Sequence, residues 1–361
     1  MRVIFQLLIV AVCAGCNSST EKSKATDWTL LPFIKSDEIN PILSHDTTSN
    51  FLCPVRNSIV QWEEKDVFNP AAVVRNDTVF LLFRAEDSIG KFAGTSRIGI
   101  AWSTDGLHFR KHPVPVLYPD NDASKIYEWE GGCEDPRVVE DENGTYYMTY
   151  TAYDGDKARL LVASSKDLYH WTKHGHVFKN DTVEVNKWSK SGAIVCKYEN
   201  GKAIAIKING KYYMYWGDTD IFLAVSDDLI NWVNIEDEKG NIKTIFGPRA
   251  KKFDSDLVEP GPPAMFTDKG ILLIYNSRNV PSKGDTSLAE GTYAASQILF
   301  DKDDPTKIVD RMDTYFMKPD KPYEITGQVN HVCFVEGLVN YKGKWFLYYG
   351  TADSKIAVAV K

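Results

Sequence analysis

The residues best placed to do chemistry lie in the run Gly131-Gly132-Cys133-Glu134-Asp135-Pro136-Arg137. Two carboxyl groups beside a guanidinium can be driven apart in pKa. The planar fork of Arg137 can hold a carboxylate or a sugar hydroxyl. Asp135 precedes Pro136, which favours extended backbone at that position. The plain structural alternative is a buried ion pair closing a turn. What strengthens the chemical reading is that other carboxylates fall at corresponding points of a repeated unit.

That unit is marked by the phrase A-x-S-x-D-x-x-x-(F/W). It occurs as Ala101, Ser103, Asp105, Phe109; as Ala163, Ser165, Asp167, Trp171; and as Ala224, Ser226, Asp228, Trp232. The copies stand about sixty residues apart, a period that points to a repeat architecture. An alternating strand precedes each copy, and before it comes an aromatic-rich strand, introduced in two copies by Asn143-Gly144 and Asn209-Gly210. Asn-Gly between such runs is a strong hairpin signal. Two degenerate copies follow, over 270–300 and 344–360, and no long segment has helical periodicity. The expected fold is therefore all-β, a five-bladed β-propeller. A β-sandwich would show the strands without the recurring phrase.

In a propeller the first strand of each unit lines the central channel. Those strands start near Asn69-Pro70, Asp135-Pro136, Lys190-Ser191-Gly192, Glu259-Pro260-Gly261 and Glu336-Gly337, so Asp135, Glu259 and Glu336 should converge at one mouth. The second strands end on Arg84 and Glu86, Asp154, Asp218, Asn276 and Arg278, and Asp353. Converging carboxyls suit glycoside hydrolysis, which needs one protonated and one ionised group across the scissile bond. Trp129, Trp188, Trp216 and Tyr153 are candidates to stack on sugar faces. No metal or cofactor is expected, because the chain lacks an EF-hand loop, a His cluster, G-x-S-x-G and the phosphate-binding P-loop. A net charge of −7 disfavours a nucleic-acid surface.

The N-terminus reads as an address. Arg2 precedes an apolar run that is too short to span a bilayer, followed by Cys13-Ala14-Gly15-Cys16. Residues 1–16 are expected to be a lipoprotein-type signal peptide with Cys16 lipidated, with ordinary cleavage near Ala14 as the alternative. Residues 17–50 read as a tether and N-terminal extension, and 51–361 as the catalytic propeller. The chain is then exported and lipid-anchored to a bacterial membrane, which it contacts only through that anchor. Cys53, Cys133, Cys196 and Cys333 are too widely spaced for a zinc site. They default to buried thiols, with a Cys53–Cys333 bridge as the alternative.

Phe68-Asn69-Pro70-Ala71, Arg84-Ala85-Glu86, Ser96-Arg97-Ile98-Gly99, Gly132-Cys133-Glu134-Asp135-Pro136-Arg137, Tyr147 through Ala152, and Phe253-Asp254-Ser255 through Gly261-Pro262-Pro263 resemble glycoside hydrolase family 130. That family holds β-mannoside phosphorylases and β-1,2-mannosidases on a five-bladed propeller, and the likeness runs from about Phe68 to Val360. It implies that Asp135 is a proton donor acting through a sugar hydroxyl. It also implies that Asn69, Arg84, Glu86, Arg97 and Arg137 hold the mannosyl unit, with Asp154 in the same role. Phosphorylases of the family carry an Arg at the end of the third-unit strand and a His after the Gly-Pro-Pro strand. Here those strands end in Trp216-Gly217-Asp218 and Tyr275-Asn276. A phosphate dianion needs positive charge to hold it, and Asp218 would repel it. Lys190 and Lys207 remain as possible phosphate contacts.

The expectation is an exo-acting, inverting β-mannosidase that takes short, β-1,2-linked manno-oligosaccharides. Its catalytic carboxyls are drawn from Asp135, Asp218, Glu259 and Glu336, with Glu259 one of the pair. Its substrate-binding residues are Asn69, Arg84, Glu86, Arg97, Arg137, Asp154, Lys190 and Asn276. The alternatives are a phosphorylase releasing mannose 1-phosphate, a non-catalytic glycan-binding lipoprotein, and a propeller glycosidase for another sugar such as an arabinoside.

Overall fold

The computed structural model describes residues 27–361, so the expected signal peptide, Cys16 and the first part of the expected tether lie outside the described residues. The fold is all-β. Its strands pair antiparallel in five successive sets. The first is Asp66–Arg75, Thr78–Glu86, Ser96–Ser103 and Arg110–Lys111. The second is Gly132–Glu140, Tyr146–Tyr153, Ala158–Ser165 and Thr172–His176. The third contains Ala193–Glu199, Tyr212–Trp216, Ile221–Ser226 and Trp232–Asn234. The fourth contains Leu257–Pro260, Ile271–Arg278, Tyr293–Phe300 and Ile308–Arg311. The last joins Cys333–Tyr341, Lys344–Thr351 and Lys355–Val360 to Ile34–Lys35 from the N-terminal extension.

Each set buries one face against the next. Leu82 and Ile98 pack with Val138 and Met148, and Leu160 and Val162 with Ile194 and Met214. Leu223 packs with Val258 and Leu273, and Ile274 with Val335 and Leu347. The last set returns to the first through Tyr348 and Val358 against Val79, Leu81 and Phe83. The N-terminal extension secures this return. Asn40 bonds both the N–H and the C=O of Val358, each at 2.9 Å, and the Ser36 N–H donates to the Val358 carbonyl. Lys35 reaches Asp320 and Glu324, and Trp28 donates to Asp310.

The repeated phrase turns out to be a turn device rather than a site. Ser103 Oγ accepts the Gly106 N–H, and Asp105 Oδ1 accepts the N–H groups of Leu107 and His108. Ser165 and Asp167 do the same for Leu168, Tyr169 and His170, and Ser226 and Asp228 for Leu229, Ile230 and Asn231. Short side-chain oxygens thus satisfy backbone donors that the bend removes from the ladder. The aromatic residue closes the turn: Trp171 and Trp232 donate to the carbonyls of Leu168 and Leu229. Asn209-Gly210 forms the two-residue hairpin expected of it, with φ of 50° and 85° between the paired Ile208 and Lys211.

The inner strands carry the feature that matters for function. The pairing of the first set skips Asn69, that of the second breaks between Glu134 and Arg137, and that of the last skips Glu336. These are β-bulges, which put an extra residue into a strand and re-aim its side chain. Asn69 and Asp135 adopt φ of 45° and 47°, and Ser191, at the head of the third inner strand, 58°. Asp135 is therefore not extended as its proline neighbour suggests. The bulge imposes the left-handed conformation, which Asp and Asn tolerate better than most residues. The four described cysteines are free and buried, so Cys53 and Cys333 are not bridged.

Asp167→Ala removes the acceptor for two backbone donors and is expected to cost about 1 kcal/mol. A urea-unfolding midpoint unchanged from the unaltered protein would show that the turn holds without its cap.

Candidate active site

Arg84 is the hub of the first half of the site. Its Nη2 donates to Glu86 Oε1 at 2.6 Å and lies 3.0 Å from Glu134 Oε1, while its Nη1 lies 3.4 Å from Asp135 Oδ1. Glu86 is buried, which alone would raise its carboxyl. Arg84 and Lys65 outweigh that and hold it at about 2. Its Oε2 takes Lys65 at 3.0 Å and Gln328 at 3.1 Å. Glu134 has less compensation, and burial pushes it up to about 7. Asp353, at the tip of the turn in the last set, is raised by burial to about 7 against the pull of Arg84. Asp135 also feels burial, but Arg84, Lys190 and the Asn69 side chain, which donates to Oδ1 at 3.0 Å, keep it lowered.

The second half is built on the segment entering the third inner strand. Lys190 Nζ stands 3.9 Å from Asp135 Oδ2 and 3.5 Å from Glu259 Oε1, linking the halves. Ser191 Oγ donates to Glu259 Oε1 in a short hydrogen bond. Burial raises Glu259; Lys190 opposes this and the nearby Asp218 adds to it. Asp218 Oδ2 accepts the indole N–H of Trp188 at 2.8 Å. Tyr293 faces the same space, its hydroxyl pushed up to about 12, first by burial and then by Glu259.

The structure thus brings together Asn69, Arg84, Glu86, Asp135, Lys190, Asp218 and Glu259. The other sequence candidates are bonded differently, Arg137 and Glu336 beneath this cluster and the rest away from it. Arg137 donates to the carbonyls of Gly261 and Pro260, at 2.7 and 2.6 Å, and to that of Asp135, so it is a strut across the inner strands rather than a sugar ligand. Glu336 lies behind it, 3.2 Å from Nη1 and fully buried, but neither oxygen makes a hydrogen bond. Its carboxyl is well above the usual range because of that burial. Arg97 is buried against Asp87 at 2.8 Å and Cys53. Asp154 caps its own turn at Asp156 and Lys157 and pairs with Arg159. Asn276 clasps the backbone of Val335, donating to its carbonyl and accepting its N–H. Lys207 lies over Tyr212, at the opposite end of the strand that leads to Asp218. Trp216 is a core residue between Phe178 and Phe222.

Sequence reasoning left Glu134, Asp353, Ser191 and Tyr293 out of the site. Glu134 stands in the same phrase as Asp135, and Asp353 at a strand end already marked by the repeat. Ser191 and Tyr293 carried no such signal, since a serine and a tyrosine in a strand-rich chain are ordinary.

Residues 35–361 match the model of glycoside hydrolase family 130, described as β-1,4-mannooligosaccharide phosphorylase. The 1,2-β-oligomannan phosphorylase of Thermoanaerobacter sp. (strain X514) is 30% identical over 309 residues, 83% of this chain and 91% of that protein. The crystal structure of a glycosyl hydrolase from Bacteroides ovatus superposes with a TM-score of 0.90 at 45% identity, covering 93% of this chain and 95% of that one. A second structure, 44% identical with the same coverages and TM-score, comes from work described as showing that the GH130 family of mannoside phosphorylases contains glycoside hydrolases targeting β-1,2 mannosidic linkages in Candida mannan.

Two outcomes test this assignment of parts. Asn276→Ala strands the Val335 N–H and C=O and is expected to cost about 2 kcal/mol of stability; an unaltered denaturation midpoint would return Asn276 to the list of substrate ligands. Glu134 and Asp353 bind protons in the folded protein that the unfolded chain, with values near 4.5 and 3.8, releases. Their contribution to stability therefore falls as pH rises from about 4 to about 7. Glu134→Gln should flatten that slope in urea melts at pH 5 and pH 7.5, and an identical slope would mean that Glu134 ionises normally.

Proposed function

We propose that this chain, which belongs to glycoside hydrolase family 130, is an exo-acting, inverting β-mannosidase that hydrolyses short β-1,2-linked manno-oligosaccharides. The five strand sets are taken as the five blades of a propeller, with the site at one mouth of its channel. The observation that carries the reading is the second half of the site. Two carboxyl groups, Asp218 and Glu259, stand there with Lys190 ion-paired to Glu259. A phosphate dianion would meet like charge at that place, whereas a water molecule would meet proton acceptors.

Asp135 and Glu259 are the facing pair. Both lie within reach of Lys190 Nζ, which puts the nearer oxygens no more than about 7.4 Å apart, a bound that reaches only the lower end of the roughly 6.5–9.5 Å of inverting enzymes. One carboxylic acid protonates the glycosidic oxygen as the bond to C1 breaks. The other takes a proton from water as its oxygen bonds C1 from the opposite face. In the unliganded site Asp135 is held ionised and Glu259 is raised, which runs against the donor role that the family resemblance implies for Asp135. Glu336 is set aside from the pair, because it is fully buried with its carboxyl against Arg137. Arg84, Glu86, Asn69 and Glu134 hold the terminal mannosyl ring. Export and a lipid anchor at Cys16 complete the reading.

A second reading, phosphorolysis, is favoured by Lys190, a cation in the half of the site where an anion would sit, and by the phosphorylase names of the 30%-identical relatives. Product analysis on β-1,2-mannobiose separates the two. Free mannose formed at the same rate with and without inorganic phosphate is expected; mannose 1-phosphate appearing only with phosphate would overturn hydrolysis. Glu259→Gln and Asp135→Asn should each lower turnover by at least about a hundredfold, the usual worth of a positioned acid or base. The variant that keeps activity on substrates with good leaving groups identifies the acid. Near-normal turnover on mannobiose in either variant would exclude that residue.

A further inference from the structure

The sequence offers several rings as candidates to stack on a sugar, and the structure separates them. Trp216 is in the core, and Trp129 lies beneath the guanidinium of Arg56, 4.9 Å from its ring. Tyr153 packs against Phe92. Trp188 differs from all of these. Among the described residues it is the one aromatic side chain in the group of exposed large hydrophobics, with 49% of its surface open. It is nevertheless held firmly. Its N–H is fixed on Asp218 Oδ2, so the ring has a set orientation. Its neighbours anchor the chain on both sides: the Ser189 N–H donates to the Ala158 carbonyl, the Leu160 N–H donates to Ser189 Oγ, and the Gly217 N–H donates to the Lys190 carbonyl. Upstream, Asp181 caps Val183 and Glu184, and Lys157 donates to the Asn186 carbonyl.

A large apolar ring held open to water in a fixed pose, beside a cluster of carboxyls, is a preorganised surface for a ligand. Its polar edge is already satisfied, so what it offers is the face. A flat face of that kind matches the C–H-bearing side of a pyranose, through dispersion and exclusion of water. The charge-rich half of the site does not bond to it: Arg84, Glu86, Lys65 and Gln328 bond to one another.

We infer that the open face of Trp188 is the platform for the second sugar ring of the substrate, the one attached to the mannosyl unit held by Arg84 and Glu86. This rests on the mannoside reading of the site. It makes Trp188 a specificity-determining residue, one that favours an oligosaccharide over a single sugar.

Calorimetric titration of the full chain carrying Glu259→Gln tests it, with mannose and β-1,2-mannobiose as ligands. Mannobiose is expected to bind more tightly than mannose. Adding Trp188→Ala should weaken mannobiose about tenfold and leave mannose within about twofold, while Trp188→Tyr, which keeps a ring, should retain most of the mannobiose affinity. The inference is overturned if Trp188→Ala weakens both sugars equally or neither, or if the Tyr variant loses as much as the Ala variant. If neither sugar binds and the unaltered protein cleaves no mannoside, the mannoside reading itself fails and the platform with it.

Discussion

More carboxyl groups are buried at the meeting of the inner strands than there are cations to balance them. Arg84, Lys65, Lys190 and Arg137 face Glu86, Glu134, Asp135, Glu259, Glu336 and Asp353, with the half-buried Asp218 beside them. An ionised carboxylate is costly away from water unless it is paired and hydrogen-bonded. The protein resolves this unevenly. Glu86 and Asp135 receive enough donors to stay charged, Glu134 and Asp353 are left near neutrality, and Glu336 is kept in a position where ionisation is strongly disfavoured. Acids of unlike proton affinity in one small space are what a glycosidase requires, and here they follow from an unequal distribution of the same four cations.

That arrangement depends on the strands being held at a common mouth. Apolar cores between successive sets, closed by the return of the last set to the first, supply the stability against which the buried charge must be set. Within this frame several polar residues serve as joints. Arg137 ties the second inner strand to Pro260 and Gly261 of the fourth, and Asn276 ties the fourth set to Val335 of the last. Bulges at Asn69, Asp135 and Glu336 then turn single residues out of the ladders. A polar group near a site is thus either a ligand or a joint. Its partners decide which: Arg137 is taken up by three backbone carbonyls and the Glu336 carboxyl, which makes it a joint.

The balance of charge also bears on how one family can serve two reactions. Water and phosphate attack the same carbon from the same side, and they differ in what must surround them. A dianion needs converging donors, whereas water needs an acceptor for its proton. Exchanging a few side chains at strand ends alters that choice while the scaffold stays the same. In the proposed hydrolytic reading Asp218 and Glu259 serve water, and Lys190 is the feature in common with anion binding.

The sequence by itself determined the all-β class, the recurring unit and its approximate boundaries, because hydrophobic alternation and Asn-Gly or Ser-x-Asp turns act over a few residues. It also determined that Asp135, Glu259 and Glu336 begin inner strands that meet, since equivalent positions in a repeat superpose once the repeat closes, and it marked Asp218 at the end of a second strand. It did not determine that Asp105, Asp167 and Asp228 belong to turns only, or that Glu134 and Asp353 join the site. Only the tertiary structure decided the conformation of Asp135, the separation of ligands from struts among Arg97, Arg137, Asp154 and Asn276, and which tryptophan of the described residues is most open to solvent. Those properties depend on which donor meets which acceptor across strands more than a hundred residues apart, as Arg137 meets Gly261. A single side chain's type carries no record of such a partner.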